Sequence, residues 1–245
     1  SMRKSTKAAR KIPANANDLC RAMHARIALV CRLYNIKADM VINADQTGIR
    51  LFPTGKYTYE VKGSKDVSIV GHEEKRQMTL VVASSMSGNM LPFQPVWGGK
   101  TAESLPSTKA ARRNEADALG FKYAHGDTRH WSSRETTKEW VLDIVDPYLA
   151  KVKADNPDIT ENDRALLLID IWPVHIAQGS PDDFLPWMKR THPNIIMLFV
   201  PGGCKCFVIA KTRRLPCFTC RYWPCTTSRC WPSTYPETPD QAQRN

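Results

Sequence analysis

Ala165-Leu166-Leu167-Leu168-Ile169-Asp170 decides the architecture of this chain. An unbroken apolar run of this length, too short for a helix, reads as a strand buried on both faces. Met40-Val41-Ile42-Asn43-Ala44-Asp45 has the same design, a short apolar run that closes on an aspartate. Two such runs predict strands that each deliver one acid to the same end of a sheet. Carboxylates held in that way suit Mg²⁺ or Mn²⁺, hard cations that prefer oxygen ligands. A two-metal phosphoryl-transfer site ordinarily asks for at least one more carboxylate. Yet no Asp or Glu occurs from Phe184 to Pro236. The pattern is that of a metal nuclease with its last ligand missing.

Working outward, Asn17 or Asp18 caps a helix that runs to about Tyr34, with Leu19, Met23, Ile27, Val30 and Leu33 as its apolar stripe. Asp45-Gln46-Thr47-Gly48 reads as a turn, and short strands are predicted over 49–53 and 57–61. A further strand spans 78–84, followed by a turn at Ser87-Gly88-Asn89 and an extended segment over 92–97. Residues 98–129 are loop-rich. Ser132 and Glu135 have capping-box spacing for a helix to about Lys153, with Trp140, Val141, Ile144, Val145 and Leu149 facing the core. Pro147 is expected to kink that helix or end its regular part. Ser180-Pro181-Asp182-Asp183 opens another helix, which ends near Arg190, and 194–200 is the last buried strand. A meander followed by alternating helices and strands makes a mixed α/β sheet flanked by helices.

Net charge is +11 and unevenly placed. Residues 1–37 carry +8 and residues 184–245 carry +7, which leaves the middle at −4. Basic ends around an acidic centre suit a polyanionic partner, although a basic surface facing only solvent gives the same count. No apolar stretch approaches the roughly 20 residues that cross a bilayer, so no membrane association is expected. Residues 1–16 read as a basic flexible arm, 17–204 as the folded domain, and 205–245 as a Cys-, Pro- and Arg-rich tail outside it. Cys217-x-x-Cys220 has a spacing known from zinc sites, but no second pair or histidine follows, so zinc is not expected. Cys20 and Cys31 read as ordinary semi-buried thiols on the first helix. His72, His125 and His130 lack ligand spacing and are assigned to the surface.

Longer motifs sharpen this reading. Val41-Ile42-Asn43-Ala44-Asp45-Gln46-Thr47-Gly48 resembles the first-aspartate motif of pogo/Tigger-type transposases, in the mariner group of the DDE superfamily. Residues 75–84 resemble the strand that follows it, and Gly98-Gly99-Lys100-Thr101 falls in a family-like position. Leu168-Ile169-Asp170-Ile171-Trp172-Pro173-Val174-His175 resembles the second-aspartate motif, an Asp with a His five residues on. The likeness continues through Trp187-Met188 and His192-Pro193-Asn194 to Val200-Pro201-Gly202-Gly203-Cys204, and covers about 20–204.

The resemblance implies an RNase H-like fold, two Mg²⁺ ions, cleavage and joining of DNA strands, and a nuclear location. It assigns Asp45 and Asp170 as catalytic metal ligands, with Thr47 and His175 in support. A third acid is implied near position 212, where this chain has Thr212. Glu237 and Asp240 lie far beyond, in a Pro-rich stretch, and are weak substitutes. Lys100 and the Arg213-Arg214 pair are candidate DNA contacts; with Trp223 and Trp231 nearby, the arginines imitate a stacking surface that is better read as accidental composition. The fold is therefore expected to be incomplete at its C-terminal end, with weak divalent-metal binding and impaired cleavage. Homo-oligomerisation is a further expectation. The alternative is a non-catalytic fragment that binds nucleic acid or protein through its basic ends. Cys204-Lys205-Cys206 is encodable as TGT-AAG-TGT, which contains a splice-donor-like GTAAGTG. Residues after Cys204 then read as retained intron or shifted frame, and any other codon choice there in the nucleotide sequence would remove that explanation.

Overall fold

The computed structural model describes residues 15–50, 77–127 and 132–201. The expected strand at 57–61, most of the basic arm, His72, His130 and the whole tail from 202 onward lie outside the described residues. Among the described residues, six strands form one sheet: β1 (Val41–Arg50), β2 (Gln77–Ser85), β3 (Gln94–Gly98), β4 (Ala124–Gly126), β5 (Ala165–Asp170) and β6 (Ile195–Val200). Their order is β4-β3-β2-β1-β5-β6. β2 is antiparallel to both β1 and β3, while β5 runs parallel to β1 and to β6. A three-strand meander joined through its first strand to two parallel strands is the RNase H-like arrangement that the aspartate motifs implied. The short β4 extends the meander edge, in parallel with β3.

Two apolar layers sandwich the sheet. On one face, α1 (Ala16–Leu33) packs Ala16, Cys20, Met23 and Ile27 against Val41, Leu166, Leu168 and Val200. The expected stripe holds at Met23 and Ile27, with Leu19 and Val30 partly buried, but Leu33 is 67% exposed. At 100° per residue, Leu33 has rotated well off the face that Ile27 occupies. Cys20 takes a place in the core instead. The opposite face receives Trp140, Val141, Ile144, Val145 and Leu149, as the sequence pattern predicts, together with Phe184 and Met188 of α6 (Phe184–Thr191). These cover Ile42, Ala44, Val81, Ala83, Leu167 and Ile169. Between β3 and β4 runs a short helix, α2 (Arg113–Ala118), in the stretch assigned to loops.

The helix starting after residue 132 differs from expectation in two ways. Its cap is Ser133, one residue later than the Ser132–Glu135 spacing suggested. Ser133 Oγ accepts from Thr136 N–H, and Thr136 Oγ1 accepts from Ser133 N–H. Ser133→Ala is expected to cost about 1 kcal/mol in a denaturant titration, the ordinary value of a lost cap. Second, Pro147 does not end the helix. α3 (Arg134–Trp140) passes through a π turn, Val141–Val145, into α4 (Asp146–Asp155). Asp146 N–H donates to Val141 O, five residues back. That wider ladder accommodates the proline, which has no N–H and whose ring crowds the carbonyl four residues earlier.

α6 is also corrected at its start. Ser180–Asp183 forms a turn before the helix, Asp183 is the cap residue, and Pro181 lies outside. The acids expected in its first turn lie before it, where Lys138 pairs with Asp182 at 3.3 Å and Arg134 with Asp183 at 3.6 Å.

Candidate active site

The turn expected at Asp45-Gln46-Thr47-Gly48 is strand. β1 continues to Arg50 because β2 pairs with it throughout, setting Asp45 opposite Val82 and Gly48 opposite Thr79. On its other side β1 pairs with β5 only as far as Asn43, opposite Leu168. The same register carried two residues further sets Asp45 beside Asp170. Side chains alternate along a strand, so position 45 shares a face with Val41 and Asn43, and position 170 shares it with Leu166 and Leu168. On that pattern both acids fall on one face, on neighbouring strands, just beyond the last paired residues, Asn43 and Leu168. Crevices at the carboxyl ends of parallel strands are where open α/β sheets bind ligands.

Each acid is held. Gln46 N–H donates to Asp45 Oδ1 at 2.8 Å, and Asp45 is half-buried. The Asp170 carboxylate faces His175 Nδ1 at 3.2 Å from Oδ1, while the Asp170 carbonyl lies 3.0 Å from the same nitrogen. Both neighbours are acceptors, so Nδ1 carries the proton and donates. The five-residue spacing has a local cause. α5 (Pro173–Ile176) turns the chain directly after β5, and His175 N–H donates to Trp172 O. The imidazole is 4% exposed, wedged between the Trp172 and Phe184 rings at 6.3 and 5.8 Å. His175 thus packs directly against Asp170.

A cleft beside the acids is lined by Asp45, Gln46, Gln94, Ser132, Asp170 and His175, among others. Thr47 is two residues beyond Asp45 on the same strand face, half-buried and opposite Leu80. Neither Thr47 nor Lys100 lines the cleft. Lys100 follows β3 at the meander side and lies 3.9 Å from Asp127 on an exposed surface. His125 is half-buried in β4, away from the acids by three strands. Arg213, Arg214, Glu237 and Asp240 fall outside the described residues. Among the described residues, no group of three or more His, Cys, Asp and Glu is placed to hold a metal ion. Two carboxylates suit one hard divalent cation completed by water or phosphate oxygens, and do not by themselves suit a two-ion site.

Three cleft residues escaped the sequence reading in this role: Gln46, Gln94 and Ser132. Glutamines inside otherwise apolar strands were the available signal, since a buried amide needs a partner.

No protein-family model and no curated protein matches the chain. Among solved structures it is similar to a pre-cleavage Mos1 transpososome, with 15% sequence identity and a TM-score of 0.40 over 82% of this chain and 49% of that one. It is also similar to a Mos1 mariner paired-end complex with Mn, at 13% identity and a TM-score of 0.40, over 82% of this chain and 47% of that one. For the Mos1 strand transfer complex the values are 15% and 0.38, over 82% and 46%. The chain spans about half the length of these transposase chains.

Proposed function

We propose that the chain is the catalytic-domain portion of a DDE-type transposase, built for metal-dependent cleavage and joining of DNA strands and impaired because its third acidic ligand is missing. The observation that carries this reading is the parallel β1–β5 ladder, whose last pair, Asn43 opposite Leu168, lies two residues before each aspartate. The motif resemblance around both acids supports it. Asp45 and Asp170 would hold one Mg²⁺ or Mn²⁺ weakly. Such an ion, when bound, polarises a phosphodiester oxygen and lowers the pKa of water. The chain's own part is to concentrate negative charge at that edge, with Gln46 N–H orienting one carboxylate and His175 the other. The partner is DNA, engaged chiefly through its backbone by the basic ends, in a homo-oligomer located in the nucleus.

The test is nicking of a supercoiled plasmid in Mg²⁺ or Mn²⁺ by this chain and by Asp170→Ala, both shown folded. No nicking above the variant is expected, alongside DNA retention that weakens steeply with salt. Nicking that disappears in Asp170→Ala would show an intact nuclease and overturn the impairment. The binding-only reading is favoured by the charge at the two ends; it requires retention that Asp45→Ala leaves unchanged and no divalent ion bound at all.

A further inference from the structure

Four buried polar atoms without a hydrogen-bond partner among the described residues belong to side chains that line one cleft: Gln46 Oε1, Gln94 Oε1, Ser132 Oγ and Trp140 Nε1. The cleft is partly open, and the space inside it amounts to about 20 Å³. The strand register explains the convergence. Gln46 is opposite Val81 and Val81 is opposite Gln94, so the two glutamines flank Val81 on one face of the sheet. By alternation that is the face turned away from the Asp45 side chain, the one on which Trp140 packs. Gln94 is 1% exposed, Trp140 3% and Ser132 5%. The Gln94 amide has a fixed sense, because its Nε2 donates to Thr136 O at 3.0 Å. Its oxygen is left as the unpartnered end.

We propose that this part of the cleft is a binding site for a single internal water, which ties β1, β3 and α3 together on the sheet face opposite the Asp45 side chain. The chemistry selects water. Two amide oxygens only accept, the indole N–H only donates, and the serine hydroxyl donates as readily as it accepts. A water molecule supplies two donors for the amide oxygens and two lone pairs for the indole and the hydroxyl. An anion meets two carbonyl oxygens, and a metal ion meets an N–H that cannot ligate it. A cavity needs about 10–15 Å³ to hold one water, and the space here matches a single molecule.

Ser132→Ala separates a hydrated cavity from a dry one by the sign of its effect. With water bound, losing the hydroxyl leaves that water one partner short, and the thermal midpoint of the full chain falls by about 2–4 °C. In a dry cavity the substitution removes an unpaired buried hydroxyl, so an unchanged or raised midpoint overturns the site. Water-selective NMR on ¹⁵N-tryptophan-labelled chain gives an independent reading on the unmutated protein. A cross-peak from long-lived water to the indole N–H that Trp140→Phe deletes is expected. Its absence, with that resonance resolved, overturns the proposal even if Ser132→Ala fails to fold.

Discussion

Phe184→Ala is expected to remove about 3–5 kcal/mol of stability, the largest loss among single substitutions around the candidate site. Phe184 is fully buried at the first position of α6 and belongs to the core layer under Trp140 and Ile144. Its ring lies 5.8 Å from His175 and 6.2 Å from Trp187, with which it stacks. Truncation opens a hole bounded by β5, α5 and α6, elements whose backbones are pinned by the sheet and cannot collapse into it. Domains are stable by only about 5–15 kcal/mol, so the variant should unfold at much lower urea than the parent. Leu29→Ala is the matched control: Leu29 is 65% exposed on α1, and its truncation should stay within about 0.5 kcal/mol. Equal midpoints for the two variants would mean that α6 does not pack as described.

His175→Ala should act on two quantities at once. Removing the Nδ1–H donor leaves the Asp170 carbonyl without that hydrogen bond and its carboxylate without the neighbouring ring, at a cost of about 1–3 kcal/mol. It also frees the Asp170 carboxylate to rotate. Hydrogen-bonded partners of metal-ligating carboxylates typically account for about 10–100-fold in metal affinity, and a loss of Mn²⁺ affinity in that range is expected. The two readouts distinguish roles. A histidine that only fills space would lower the urea midpoint while leaving the affinity of the folded fraction unchanged.

Much of this was legible in the residues, for reasons that also explain the misses. The two apolar runs identified β1 and β5 because strands buried on both faces need uninterrupted hydrophobicity, and few other elements do. Asp45 and Asp170 stood out in the residues because an acid at the end of such a run is costly unless used or paired. What sequence could not show was how far β1 extends. Asp45-Gln46-Thr47-Gly48 has the composition of a turn, and only the partner β2, more than 30 residues away in the chain, holds it extended. The capping register slipped by one residue for a similar reason. Ser132 and Ser133 carry equal local signals, and burial of Ser132 beside Gln94 and Trp140 leaves the cap to Ser133. Pro147 carried a correct warning of distortion, but the outcome, a π turn in a continuing helix, depended on a core contact at Val141, Ile144 and Val145 that keeps the helix against the sheet. His175 was located by its spacing from Asp170. Its contact with that residue, Nδ1 3.0 Å from the Asp170 carbonyl, depends on α5 folding the chain back after β5.

Titration of the full chain with Mn²⁺, followed by the loss of the free-ion electron paramagnetic resonance signal, bears most directly on the paired aspartates. One weak site is expected for the parent, and none in either Asp45→Asn or Asp170→Asn, two substitutions that keep side-chain volume and strand register. Binding that survives in both variants, or two ions held tightly by the parent, would contradict a site made of these two carboxylates alone.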